Sequence, residues 1–133
     1  MIEFVFGAKG SGKTKKMIEM ANDELTQTNG NVLFINDRDR YRSTVNRDIR
    51  FMNTDDYLIK GSDELYGFLC GVMASNYDIT AIFLDNVLRI IDANGPESIK
   101  GLIDKLNSLE AAKNIKVVMS ISADESTVPD FLK

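Results

Sequence analysis

The octapeptide Gly7-Ala8-Lys9-Gly10-Ser11-Gly12-Lys13-Thr14 constrains this chain more than any other segment. It stands between a short apolar run at residues 2–6, which reads as a strand, and Lys13–Gln27, which has helical spacing with Met17, Met20, Ala21 and Leu25 on one face. Glycines at 7, 10 and 12 let the backbone curl so that successive N–H groups point to one centre. The helix that follows turns its positive dipole end to the same centre. A strand, a glycine turn and a helix in that order make an anion cradle. The pattern G-x-x-x-x-G-K-[ST] is filled at every position, so Lys13 can reach the outer phosphates of a bound nucleotide and the Thr14 hydroxyl can ligate Mg²⁺. The backbone amides from Gly7 to Gly12 are the expected cradle.

The remaining segments alternate in type. Strands are expected at residues 32–35, 49–53, 79–84 and 115–121, and a helix over Ser62–Ser75. A further helix should open at Pro96 and end near Lys113, with Ile99, Leu102, Ile103, Leu106 and Leu109 as its stripe. Gly67 and Gly71 lie four apart and would share a helix face open to close packing. Residues 87–93 have no clear assignment, and the tail from 126 to 133 reads as a loop or a small edge element. Most strands are continuous apolar runs, which indicates burial on both faces. Together these features predict an α/β chain: one domain, with a mostly parallel sheet of about five strands between layers of helices.

Composition narrows the classes. At 133 residues with 44% hydrophobic and 27% charged residues, the chain is an ordinary single domain rather than a disordered one. A net charge of −4 makes bulk attraction to nucleic acid or an anionic membrane an unfavourable expectation. The lone Cys70 excludes an internal disulfide and reads as a core thiol. No apolar run approaches a membrane span and no signal-peptide pattern follows Met1, so the expected location is cytoplasmic. The absence of histidine removes the usual general base.

A second acidic motif supports the first. Ala81-Ile82-Phe83-Leu84-Asp85 is a buried strand ending in a carboxylate, which a parallel sheet can present beside magnesium and its waters. The next residue is Asn86, which orients a water but cannot take its proton. Asp37 and Asp39, after the second strand, are the substitutes, with Asp37 the candidate catalytic carboxylate beside Lys13 and Asp85. Ser120 and Ser122 stand at the end of the last strand. Arg38, Arg40, Arg42, Arg47 and Arg50 are interleaved with Asp37, Asp39 and Asp48. Three readings of that run stand open: a phosphate or nucleic-acid contact, a finger offered to a neighbouring subunit of an oligomer, or a solvated ion-paired surface. Arg89 is a further finger candidate, and Tyr41 a candidate stacking ring.

These motifs resemble those of the P-loop NTPases: residues 7–14 match the Walker A motif and residues 82–85 the Walker B motif. The resemblance covers nearly the whole chain. It implies the three-layer α/β/α sandwich of that superfamily, in the branch where one strand separates the two motif strands. Residues 76–80 also look like a group of small bacterial ATP-binding proteins. A slighter likeness to thymidine kinases lacks that family's zinc cysteines and Asp-Glu pair. By resemblance, the ligand is a nucleoside triphosphate with Mg²⁺, held through Lys13, Thr14 and Asp85. ATPases that this chain resembles often carry a polar residue that senses the terminal phosphate at the end of the last strand, where Ser120 and Ser122 stand. The lack of an Asn/Thr-Lys-x-Asp segment favours ATP over GTP. The expected function is Mg-dependent ATP binding with weak or partner-dependent ATPase activity. The alternatives are a non-hydrolysing nucleotide sensor that engages a protein partner and a small-molecule kinase.

Overall fold

In a computed structural model that describes residues 2–133, the apolar runs become one five-stranded sheet with every strand parallel. The strands are β1 (Ile2–Gly7), β2 (Asn31–Asn36), β3 (Arg50–Asn53), β4 (Ile79–Leu84) and β5 (Lys116–Ser122), in the order β1-β5-β4-β2-β3. As expected, a single strand, β5, separates β1 from β4. The helices are α1 (Lys13–Gln27), α2 (Ser62–Ser75), α3 (Val87–Ile90) and α4 (Lys100–Ser108).

Both faces of the sheet are covered, which is why its central strands carry apolar residues at successive positions. Val32, Phe34, Ala81, Phe83 and Val118 pack with Met17, Ile18 and Ala21 of α1. Their neighbours Leu33, Ile35, Ile82, Leu84, Val117 and Met119 turn the other way, onto Leu65 and Leu69 of α2 and Leu102 and Leu106 of α4. Phe34 stacks on Phe51 of β3 with ring centroids 5.8 Å apart. Each large side chain fully buried in these layers contributes about 1.5–3 kcal/mol.

The strand ends are level at one edge. Gly7 lies opposite Ser122, Leu84 opposite both Met119 and Ile35, and the Asp85 N–H donates to the Ile35 carbonyl at 2.9 Å. The segments leaving β1, β4 and β2 therefore emerge side by side at the carboxyl edge, where ligands of such sheets collect.

Several expectations are corrected. The helix from Pro96 breaks into a 3₁₀ turn at Pro96–Ile99, α4, and a second turn at Glu110–Ala112. The Ser108 hydroxyl donates back to the Asp104 and Lys105 carbonyls, and Leu109 is extended at φ −81°, ψ 118°. Gly67 and Gly71 face open space rather than a neighbouring element. Residues 87–93 contain the single turn of α3, and the tail forms two 3₁₀ turns that bury Val128 and Leu132. Cys70 is half-buried rather than fully enclosed. Among the described residues, no helix is long and apolar enough to cross a membrane.

Candidate functional site

Residues 7–14 connect β1 to α1 as a tight turn with Gly10 at φ +81° and Gly12 at φ +91°, both in the left-handed region that suits glycine. A side chain at Gly7 would run into the Ser11 hydroxyl and the Lys13 stem. No side chain caps α1, and no acidic residue stands in its first turn. Its first amides thus have no acceptor from a capping residue, and the positive dipole end is not neutralised locally.

Lys13 is 7% exposed. Its ammonium reaches back across the turn and donates to the Ala8 carbonyl at 2.9 Å. Burial lowers its pKa; the Asp85 carboxylate works the other way, and the Arg89 guanidinium adds to the depression. An anion beside Nζ would relieve both unfavourable contributions at once.

Asp85 is the most enclosed charged group here, at 0% exposure. Its Oδ2 accepts from the Thr14 hydroxyl at 2.7 Å and from Asn36 Nδ2 at 3.0 Å, and its Oδ1 accepts from the Ser120 hydroxyl at 2.6 Å. Such donors replace the water that a buried carboxylate has lost. Ser120 is itself engaged twice, since its Oγ also accepts the Asn86 N–H at 2.7 Å. It is fully buried and does not line the cleft; Ser122, two residues on, does. Ser120 therefore orients Asp85 rather than facing a ligand. Asn86 sits at φ 61°, ψ 56°, a left-handed conformation that asparagine tolerates, and its side chain borders the cleft.

Asn36, which the sequence did not single out, connects the two acidic positions. It is completely buried, donates to Asp85, and accepts the Asp37 N–H at 2.6 Å. Asp37 emerges at the carboxyl edge as expected, but Arg89 holds it. Arg89 Nε donates to both carboxylate oxygens at 2.9 and 2.8 Å, and Nη2 donates to Oδ1 at 2.6 Å. That hydrogen bonding raises the Arg89 pKa further above its usual range. Both oxygens of the carboxylate are occupied in this grip, so the geometry gives Asp37 the work of positioning Arg89.

The cleft between these groups has a volume of about 370 Å³. Lys9, Lys13, Lys15, Arg38, Arg40 and Arg89 line it, together with Tyr41, and no carboxylate does. In an acidic protein this is a marked segregation of charge. The arginine run divides. Arg38 and Arg40 enter the cleft, whereas Arg42 pairs with Asp39 at 2.7 Å and lies over the Phe51 ring at 4.8 Å. Arg47 and Arg50 border a separate surface concavity. Asp39 is thus occupied in a surface ion pair, and its pKa is lowered by Arg42.

Among the described residues, no three carboxylate, cysteine or histidine side chains gather as a closed metal cage. The convergence of the Thr14 hydroxyl and Asp85 Oδ2 instead fits a hard cation held by one or two protein oxygens, with phosphate and water completing its shell. No family model matches this chain, and no curated protein is significantly similar to it. The fold and the cleft define a parallel α/β protein with a cleft lined by cationic side chains at the carboxyl edge of its sheet.

Proposed function

We propose that this protein is a P-loop nucleotide-binding protein that takes Mg·ATP into the cleft and hydrolyses it slowly on its own. The observation carrying the reading is convergence: an uncapped helix N-terminus, the Lys13 ammonium and the Thr14 hydroxyl all meet at one cavity with no carboxylate in its lining, and Asp85 lies buried directly behind Thr14. On binding, Lys13 exchanges the Ala8 carbonyl for phosphate oxygens, a stronger, charge-assisted contact. The amides from Gly10 to Thr14 receive the remaining phosphate charge. Thr14 and Asp85 are the side chains that would hold Mg²⁺, which supplies charge neutralisation at the outer phosphates. Asn36 and Ser120 keep the Asp85 carboxylate aimed.

Slow hydrolysis follows from the occupied carboxylates. Asp37 is held by Arg89, Asp85 by four side-chain donors, and one of those four is the Asn86 amide. The same occupancy favours, as a second reading, a nucleotide-dependent binding module whose partner is a protein. Phosphate release from saturating Mg·ATP separates the two. The first reading predicts slow release that Asp85→Asn abolishes and Asn86→Ala retains. No release above background from the wild type would leave the binding module, and release that survives Asp85→Asn would contradict the assigned role of that carboxylate.

A further inference from the structure

The cleft holds more positive charge than a magnesium–triphosphate complex uses. Lys13 is opposed by Asp85, and Arg89 is paired with Asp37. Lys9, Lys15, Arg38 and Arg40 remain, and among the described residues none of them takes part in an ion pair. A magnesium-bound triphosphate carries roughly two net negative charges, and the helix end and Lys13 already face it. Four exposed cations are left over on the walls.

Their placement gives the surplus a direction. The Thr14 hydroxyl donates to Asp85, which directly follows β4, and the Asp85 charge acts on Lys13, so the outer phosphate would lie toward β4. The sheet order then continues to β2, and the segment leaving β2 carries Arg38, Arg40 and Tyr41 into the cleft from the far side. The two arginines therefore stand beyond the outer phosphate, where an attacking group would enter.

Chemistry limits what that group can be. Water or an alcohol must lose a proton as it attacks, and a positioned base normally takes it. Here there is no histidine, and both buried carboxylates at the edge are committed to donors. An acceptor that arrives already deprotonated needs no base. A phosphate monoester, whose second pKa is about 6, meets that condition at neutral pH, and paired guanidinium forks match its oxygens. The Arg40 guanidinium lies over the Tyr41 ring, 5.3 Å from its centroid, and that aromatic ring borders the same cleft.

We infer that Arg38, Arg40 and Tyr41 form a second subsite for a phosphate-bearing acceptor, a nucleoside monophosphate, and that the bound ATP phosphorylates it. The inference rests on the nucleotide reading above. A non-bridging oxygen of the acceptor phosphate attacks the γ-phosphorus as the bond to the β,γ-bridging oxygen breaks. ADP leaves with that electron pair, and the acceptor becomes a diphosphate. Charge balances with no proton taken up or released by the protein.

The test uses the full chain with Mg·ATP labelled at the γ-phosphate, offered each ribonucleoside monophosphate in turn and, separately, inorganic phosphate. Labelled nucleoside diphosphate is the expected product. The Arg38→Ala/Arg40→Ala double variant should lose transfer by about a hundredfold or more. Its affinity for the monophosphate, titrated without ATP, should fall at least about tenfold, with its Mg·ATP affinity held within about threefold. Both side chains are exposed, so the fold should survive. Labelled pyrophosphate from inorganic phosphate alone would overturn the nucleoside part of the assignment. Normal Mg·ATP binding with no transfer, or transfer indifferent to the two arginines, would overturn the inference and leave the nucleotide site standing. Failure of Mg·ATP to bind the wild type would remove the nucleotide reading and the inference together.

Discussion

Replacing Ser120 by alanine is a demanding test of how Asp85 is satisfied and aimed. The Ser120 hydroxyl is fully buried, donates to Asp85 Oδ1 at 2.6 Å and accepts the Asn86 N–H at 2.7 Å. The first bond goes to a charged group and is worth about 1.5–3 kcal/mol; stranding the amide adds about 1–3 kcal/mol. A water entering the space of the lost oxygen would recover part of this. The expected loss is therefore roughly 2–4 kcal/mol, a large share of the 5–15 kcal/mol typical of a whole domain. Urea unfolding followed by circular dichroism should show the midpoint falling by about 1–2 M with an unchanged slope. The melting temperature should drop by about 10 °C. Ser98→Ala is the matched control, because that hydroxyl is on the surface and serves only the Gly95 carbonyl; it should cost less than about 0.5 kcal/mol. A Ser120→Ala protein within 0.5 kcal/mol of wild type would refute the reasoning, since Asp85 would then have another source of stabilisation.

Asp37→Asn should leave the half-buried Arg89 guanidinium without its counter-charge and cost about 1–2 kcal/mol in the same unfolding assay; an unchanged midpoint would show the pair to be energetically idle. Lys13→Met tests the burial of the ammonium in the empty site. Because the folded pKa is depressed below the ordinary 10.5, the unfolded chain binds more protons there, and wild-type stability rises with pH as that value is approached. The methionine variant should thus be the more stable protein near neutral pH, with its advantage shrinking toward pH 10.5; an advantage that stays constant with pH would exclude desolvation as the cause.

What the sequence made legible was whatever depends on neighbours in the chain. The glycine turn between β1 and α1 carries its own conformational requirements, and the apolar run before Asp85 could only be a buried strand ending at an edge. Asn36 was invisible for the opposite reason. An asparagine at a strand end reads as the start of a turn, and nothing local shows that Asp85, far along the chain, will lie beside it. The Arg89–Asp37 pair was missed in the same way, because it exists only since β4 lies next to β2. That pairing changes the chemistry, turning a candidate base into an anchor for a cation. The arginine run shows the limit of composition: Arg38 and Arg42 are alike on paper, but one enters the cleft and the other is tied to Asp39. The break after Ser108 was hidden because the apolar stripe continues through Leu109 at helical spacing, while a serine hydroxyl ends the helix.

The central claim is that the cleft at the turn before α1 binds Mg·ATP through Lys13. Isothermal titration of Mg·ATP into the wild type and into Lys13→Ala, each shown by circular dichroism to be folded, tests it most directly. Saturable one-to-one binding to the wild type, weakened at least about tenfold by the substitution, is the predicted result. Equal affinity in the two proteins, or no heat from either, would contradict it.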